Sequence, residues 1–424
     1  MNRITRREFV KKSVAATSAT LTLTNSRVLG ANEDIRAAVI GVRGRGRGLI
    51  QEFHNARGVR VVALCDVDKQ VLDREVKKFK DRKEQVKSFE DYRTMMEDKS
   101  IDVIAIATPD HHHIPAAARA IVAGKDVYVE KPVSHTISEG RLLVTLARKY
   151  KRIVQHGTQS RSLSGFQDGI EFLRSGELGT IRMAKAINSQ LRGPIGRKSD
   201  EEAPTHVNYD LWLGPAPKRP FNPNRYHYNW HWFWDYGTGD TGNDGIHQID
   251  IARWGLGVNM PNAVSCSGKQ LFYDDDHETP DTQVATFEYD HVYLMFEMRL
   301  WTPYPLEGHD NGNIFYGDKG SMSMGRKGWQ VTFKGNKKGP EGPRGDGSHV
   351  ENFIQAVRNR KVEDLNADVE EAHYSATLCH MANIAMRVGR RLRFDSKREQ
   401  FIDDPEANIY LTKPYRSGFE PPTL

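Results

Sequence analysis

Three clusters in this 424-residue chain combine side chains able to move protons. The first, Glu130-Lys131-Pro132, ends a short apolar run, Val127-Tyr128-Val129. A lysine there is a cation whose proton affinity falls if it is buried. The second, Asn243-Asp244-Gly245-Ile246-His247, leads into a segment from Gly245 to Trp254 patterned as an amphipathic helix, and an imidazole there suits general-base work because it titrates near neutrality. The third is Thr108-Pro109-Asp110-His111-His112-His113. Oxidising a secondary alcohol needs a base for the hydroxyl proton, a cation for the developing alkoxide and a hydride acceptor, and Lys131 and His247 are of the types to supply the first two. Each also has a plainer reading, as a surface lysine at a strand end and a packed helical histidine. The consecutive histidines do not read as a metal site, because successive side chains diverge and no cysteine or carboxylate set completes the ligands. Cys65, Cys266 and Cys379 lie far apart with no C-x-x-C pair, which removes a disulfide framework.

The elements that position these groups alternate between short β-rich runs and helical stretches, the pattern of a parallel sheet whose ligands gather at the carboxyl ends of its strands. Ile35 to Ile40 reads as a buried strand that runs into Gly41-Val42-Arg43-Gly44-Arg45-Gly46-Arg47-Gly48 and then a helix starting near Leu49. Strand, glycine turn and helix form the context in which backbone N–H groups cradle a pyrophosphate. In the G-x-G-x-x-G register Gly41 and Gly46 match, and Arg43 takes the middle place. A second strand, Val59 to Leu64, ends in Cys65-Asp66, where an acid can accept from ribose hydroxyls and repel a 2′-phosphate, favouring NAD. Arg43, Arg45 and Arg47 argue the other way and keep NADP open. A charged helix over Lys69 to Phe79, a short one near Phe89 to Met96, a strand from Val103 to Ala107 and a helix from Ile114 to Ala123 complete the reading, so Gly41, Asp66, Thr108 and Lys131 all fall at strand ends.

The glycine turn, the acid ending strand two, the Thr-Pro-x-x-x-His turn and Glu-Lys-Pro together resemble the Gfo/Idh/MocA family, named for glucose-fructose oxidoreductase and inositol dehydrogenase. The likeness continues through Gln155-His156-Gly157-Thr158-Gln159-Ser160-Arg161, Tyr209 to Pro215, Asn243 to Asp250 and Ser375 to His380. It implies an N-terminal Rossmann domain over 34–155 and a C-terminal α/β domain over 156–395 with an open, largely antiparallel sheet. The family's nicotinamide cofactor would be met by Gly41, Arg43, Gly44, Arg45 and Gly46, then by Asp66, Thr108, Pro109 and His113, and finally by Glu130, Lys131 and Gln159. Catalysis would fall to Lys131 and His247 with Asn243 and Asp244, and substrate contact would include Arg161. One departure stands out: many members carry an acid four residues before the histidine, where this chain has Asn243, which can hydrogen-bond but cannot stabilise an imidazolium by charge.

Arg225 to Tyr236 holds three tryptophans in five residues, and Tyr228, Trp230, Trp232 and Trp234 are of the kind that stack on sugar rings or fill a core or dimer interface. His373 and His380, seven apart on the last long helix, read as core or interface residues. Alternating runs over Gln283 to Tyr289 and Val292 to Arg299 suggest antiparallel strands, Phe333 to Ser348 reads as a Lys/Gly/Pro-rich loop, and 396–424 as a tail wrapping its own surface or a neighbouring subunit. At the other end Arg6-Arg7, followed by an Ala/Thr-rich stretch within 1–31, resembles a twin-arginine export signal, cleaved or kept as an anchor, and implies a periplasmic or exported protein. Residues 1–31 carry five of the six net positive charges, so the sequence pI near 9.0 gives no basic stripe for nucleic acid. The expected function is therefore oxidation of a sugar or polyol hydroxyl with tightly bound NAD, in a homodimer or homotetramer. The alternatives are a redox-neutral NAD-dependent glycoside hydrolase of the same family and a sugar-binding homologue with little turnover.

Overall fold

A computed structural model describes residues 34–423; the arginine pair and the stretch read as an export signal lie outside the described residues. The first sheet is built from β1 (Ile35–Ile40), β2 (Val59–Cys65), β3 (Lys87–Phe89), β4 (Val103–Ile106), β5 (Asp126–Val129) and β6 (Val154–His156). All six strands are parallel in the order β3-β2-β1-β4-β5-β6, so the chain reverses its direction of winding between β1 and β4. β4 and β5 are buried on both faces, which explains why they read as continuous apolar runs rather than alternating ones.

The connecting helices are α1 (Arg45–Asn55), α2 (Lys69–Asp81), α3 (Tyr92–Met95), α4 (Asp110–Val122) and α5 (Ile137–Lys149). Asp68 caps α2 by accepting from the N–H groups of Gln70 and Val71, and Thr136 with Glu139 forms a reciprocal capping box on α5. Two helices begin earlier than the sequence suggests. α1 starts at Arg45 rather than Leu49, and α4 starts at Asp110 rather than Ile114, with Pro115 inside it. Proline at 115 cannot donate to the carbonyl of His111, and Lys413 Nζ approaches that carbonyl at 3.4 Å instead.

After α6 (Ser164–Arg174) the chain enters a second sheet through β7 (Ile181–Ser189) and, beyond α7 (Tyr209–Leu213), α8 (Ile246–Leu256). The sheet continues with β8 (Ala263–Lys269), β9 (Thr282–Glu288), β10 (Tyr293–Arg299), β11 (Asn311–Gly317), β12 (Gly320–Gly325), β13 (Gly328–Phe333) and β14 (Lys337–Gly342). Two more helices, α9 (His349–Asn359) and α10 (Val369–Val388), precede β15 (Leu392–Asp395), β16 (Gln400–Phe401) and α11 (Pro405–Ile409). This ten-stranded sheet runs β14-β13-β12-β11-β7-β10-β9-β8-β15-β16 and is antiparallel except where β7 meets β10. The expected loop over Phe333 to Ser348 contains β14. Its glycines misled the pattern: Gly342 lies flat against the Trp329 indole, where a Cβ would come within 2.5 Å of Nε1.

Two cores result. One joins β4 and β5 to the helices and strands of the second half. The other packs β1, β2 and α1 against α9, with the rings of Phe53, Tyr128 and Phe353 in edge-to-face contact at 5.9 to 6.2 Å. Thus α9, within the stretch expected to belong wholly to the substrate domain, completes the nucleotide-side core. The tail wraps its own chain: Arg119 donates to the carbonyls of Gly418 and Glu420, and Tyr415 donates to Glu139.

Candidate active site

A cavity of about 620 Å³ runs from the carboxyl ends of β1 and β2, past those of β4 and β5, to the start of α8. At its first end Gly41 has φ +76°, and a Cβ there would stand 2.6 Å from the Ala107 carbonyl oxygen. Gly44 is the N-cap of α1 and leaves its first turn without a side-chain cap. Gly46 serves the turn rather than the cavity, since a Cβ on it would fall 1.6 Å from the Gly41 oxygen. Arg43 and Asp66 line the wall. The Asp66 carboxylate accepts from the N–H groups of Val42 and Asp68, both at 2.9 Å, and burial pushes its carboxyl up to about 6. The Thr108 hydroxyl, also in the wall beside Pro109, is buried without a partner. A glycine cradle, an uncapped helix start, an acid ending β2 and an orphaned hydroxyl suit a dinucleotide laid across the point where the winding reverses.

Further in, Glu130 Oε1 accepts from Arg45 Nε at 2.7 Å and from Gln159 Nε2 at 3.1 Å, so these three form one floor. His113 is not in the cavity. Its ring bridges the carbonyls of Pro132 (2.6 Å) and Thr108 (2.9 Å) and so braces the end of β4 against the end of β5. The expectation that it touches cofactor is corrected to a supporting role.

The proton-handling groups meet at the inner end. Lys131 Nζ donates to Asn243 Oδ1 at 2.6 Å, and Asn243 Nδ2 donates to Asp240 Oδ1 at 2.8 Å. The asparagine thus links the lysine to a buried acid at 240. Asp240 also accepts from Asn188 and Arg192, yet burial and the neighbouring Asp244 push its carboxyl up. Asp244 accepts from Gln190 at 2.6 Å and pairs closely with Arg192. Burial would raise its carboxyl, but the charges of Lys131 and Arg192 outweigh that and hold it well below the carboxylate range. His247 follows on α8 and faces the same cavity. Burial first and the Lys131 charge second lower its basicity, so the imidazole is neutral near pH 7. Behind the lysine, Asp110 is fully buried, accepts from the Thr238 hydroxyl at 2.9 Å and has its carboxyl pushed up to about 7 by burial.

The aromatic stretch divides. It is not a strand but a set of short 3₁₀ turns, and Tyr228 and Trp230 line the cavity. Trp232 is only 2% exposed and packs 5.3 Å from the His277 ring, and Trp234 points elsewhere, its indole donating to the Glu278 carbonyl. The substrate contacts expected of these two are corrected to core and surface packing. Arg161 is corrected as well. It is buried, makes a two-pronged pair with Asp250 at 2.8 and 2.9 Å, reaches Glu371 at 3.1 Å and lines neither this cavity nor its neighbour, so its charge is used within the fold.

Several wall residues escaped the sequence reading. Tyr226 and His227 cross from the second half and donate to Asp68 Oδ2 at 3.0 and 2.9 Å, roofing the nucleotide end. Phe419 of the tail lines the same end, with the Arg93 guanidinium 4.2 Å from its ring centre. The residue types are visible in the sequence, but no local pattern shows that these segments meet the nucleotide end. No His/Cys/Asp/Glu group able to hold a metal occurs among the described residues, and no helix among them is long and apolar enough to cross a membrane.

Fold and site together define a two-domain protein whose parallel sheet carries a dinucleotide site and whose second half closes a cavity over it with Tyr228, Trp230, Asn243, Asp244 and His247. Residues 35–158 match the family model described as oxidoreductase family, NAD-binding Rossmann fold, and residues 195–299 and 304–421 match its C-terminal alpha/beta domain. The chain belongs to the Gfo/Idh/MocA oxidoreductase family, and its first half is an NAD-binding Rossmann domain.

Among solved structures it is similar to the WlbA dehydrogenase of Bordetella pertussis in complex with NADH and UDP-GlcNAcA (TM-score 0.65, 18% identity, 85% of this chain and 99% of that one). It is similar too to aldose-aldose oxidoreductase from Caulobacter crescentus complexed with glycerol (TM-score 0.64, 18% identity, 85% and 100%). In sequence it is 33% identical over 172 residues to a glycosyl hydrolase family 109 protein of Shewanella amazonensis, covering 35% of this chain and 38% of that one. It is 32% identical over 125 residues to the alpha-N-acetylgalactosaminidase of Shewanella oneidensis, covering 28% and 27%. The chain therefore spans well under half the length of these curated relatives.

Proposed function

We propose that the protein oxidises a secondary hydroxyl of a sugar or polyol ring placed between Lys131 and His247. The observation that carries this reading is the convergence of a hydrogen-bonded lysine and a neutral imidazole on one cavity with the nucleotide cradle. NAD, when bound, supplies the hydride acceptor. His247 takes the hydroxyl proton, Lys131 stabilises the oxygen as it becomes negative, and Asn243 holds the ammonium in place. Tyr228 and Trp230 offer flat apolar surface to the ring.

A second reading is supported by the Shewanella relatives: a redox-neutral glycosidase, in which the ring oxidation is temporary and serves to acidify the neighbouring C–H so that the leaving group departs. Purified protein with no added NAD, incubated with free sugars and with aryl glycosides including an aryl α-N-acetylgalactosaminide, separates the two. A cofactor absorbance change with free sugar means oxidoreductase, and phenol release without net reduction means glycosidase. Lys131→Ala should abolish either activity while NAD stays bound, and full turnover in that variant refutes the assignment. We further propose twin-arginine export, which Arg6→Lys with Arg7→Lys should block, and a homo-oligomeric state, which light scattering reads directly.

A further inference from the structure

A second cavity of about 520 Å³, in the size range of ligand sites, adjoins the first, and the two share Gln159, Asp244 and His247 in their walls. It lies between α6, α8 and strands β11 and β12 of the large sheet, and nothing in the chemistry described above uses it. Its composition is specific. Leu163, Phe166 and Ile251 give it an apolar side. Gln248 and Asn313, both buried, give it a polar one, and each has a side-chain carboxamide oxygen without a hydrogen-bond partner. Asn313 is fixed in place by donating to the Gln248 carbonyl at 2.7 Å. At the mouth stands Arg344, exposed and with no ion-pair partner among the described residues. A wall that joins apolar side chains to carboxamides and an arginine matches a pyranose, which presents C–H groups on its faces and hydroxyls around its rim.

We propose that this cavity is a subsite for a second sugar ring, joined through its glycosidic oxygen to the ring that reacts beside Lys131 and His247, so that the preferred substrate is a disaccharide or longer saccharide. This rests on the sugar-ring reading of the first cavity. Because Gln159, Asp244 and His247 line both cavities, the second lies directly beside the place where the ring reacts.

The test uses the full-length protein with its bound cofactor and a panel of methyl monoglycosides, each matched to the disaccharide in which a pyranose replaces the methyl group. Turnover and calorimetric affinity are both read. The expected result is a gain of about tenfold or more in kcat/KM or affinity for disaccharides, the step that modest extra apolar burial produces. Leu163→Trp, which fills the cavity, should erase that gain while the methyl glycoside is handled as before. Arg344→Ala, at an exposed position that spares folding, should reduce the gain. Equal values for matched pairs in the unmodified protein, or losses in the two variants that fall equally on both members of a pair, overturn the subsite alone. If no monoglycoside or disaccharide is bound or turned over, the sugar-ring reading itself falls, and the subsite with it.

Discussion

Asp244 and His247 lie three residues apart where the chain enters α8, and the charge of one should be legible in the titration of the other. Replacing Asp244 by Asn removes the carboxylate that favours the imidazolium and leaves Lys131, which opposes it. Side chains three apart on a helix have Cβ atoms about 5 to 6 Å apart, and two unit charges about 6 Å apart at an effective dielectric near 20 interact by roughly 2.8 kcal/mol. That corresponds to about 2 pH units. Asp244 is also neutralised by its close pair with Arg192, so about half, near 1 unit, is the expected shift. The sign follows from which form works: the neutral imidazole is the base, so kcat/KM is full above its pKa and is lost as the pH falls through it. In the native protein that acid limb should lie below the ordinary histidine value of about 6.5, because burial and Lys131 both oppose protonation. In Asp244→Asn it should move about 1 unit lower still. The assay is the pH dependence of the absorbance change of the bound cofactor on mixing with sugar, with imidazole NMR titration of the same proteins as the turnover-independent readout. A limb that stays in place or moves to higher pH refutes the pairing of charge and base.

Four further outcomes are expected. Gly41→Ala forces φ +76° on an L side chain and drives its Cβ into the Ala107 carbonyl, so the purified protein should lose bound NAD, measured by cofactor content after gel filtration. NAD affinity should rise with pH up to about 6 and then level off, because ribose hydroxyls donate to the ionised Asp66; Asp66→Asn should flatten that dependence in calorimetry. Arg161→Met leaves the buried Asp250 carboxylate without its guanidinium and should cost about 3 to 5 kcal/mol of stability in denaturant titration, with NAD binding unchanged per folded molecule. Asp68→Ala removes a helix cap and both roof contacts, so NAD should dissociate faster while thermal stability falls by about 1 kcal/mol or slightly more.

The nucleotide half was legible because each signal there is local. β1 and its glycine turn, Asp66 closing β2, Thr108 closing β4 and Lys131 after β5 are contiguous strand-plus-end motifs, and parallel pairing places all strand ends on one edge. His247 and Asn243 were legible only through the family resemblance, since helix periodicity says which face a histidine occupies but not what it faces. The misassignments share another cause. Arg161 looks like a substrate-binding arginine in sequence, and only the partner 89 positions away, Asp250, shows that its charge is already used. Trp232 and Trp230 have the same type and neighbouring positions, and tertiary packing alone decides that one is core and the other wall. Phe419 and the roof at Tyr226 and His227 involve contacts between remote segments, for which the local pattern carries no signal.

The apolar faces of α1 and β1 are covered by α9, whose Val350, Phe353, Ile354 and Val357 arrive late in the chain. During synthesis the nucleotide-binding half therefore cannot close its core when its own last strand emerges; it must wait for about two hundred more residues to be made. A fragment ending after β6 would expose Phe53 and the ring of Tyr128 to water and should be sticky and poor at retaining NAD. The two halves are consequently bound to a single folding event, and swapping the first half between relatives will succeed only when the segment equivalent to α9 is exchanged with it.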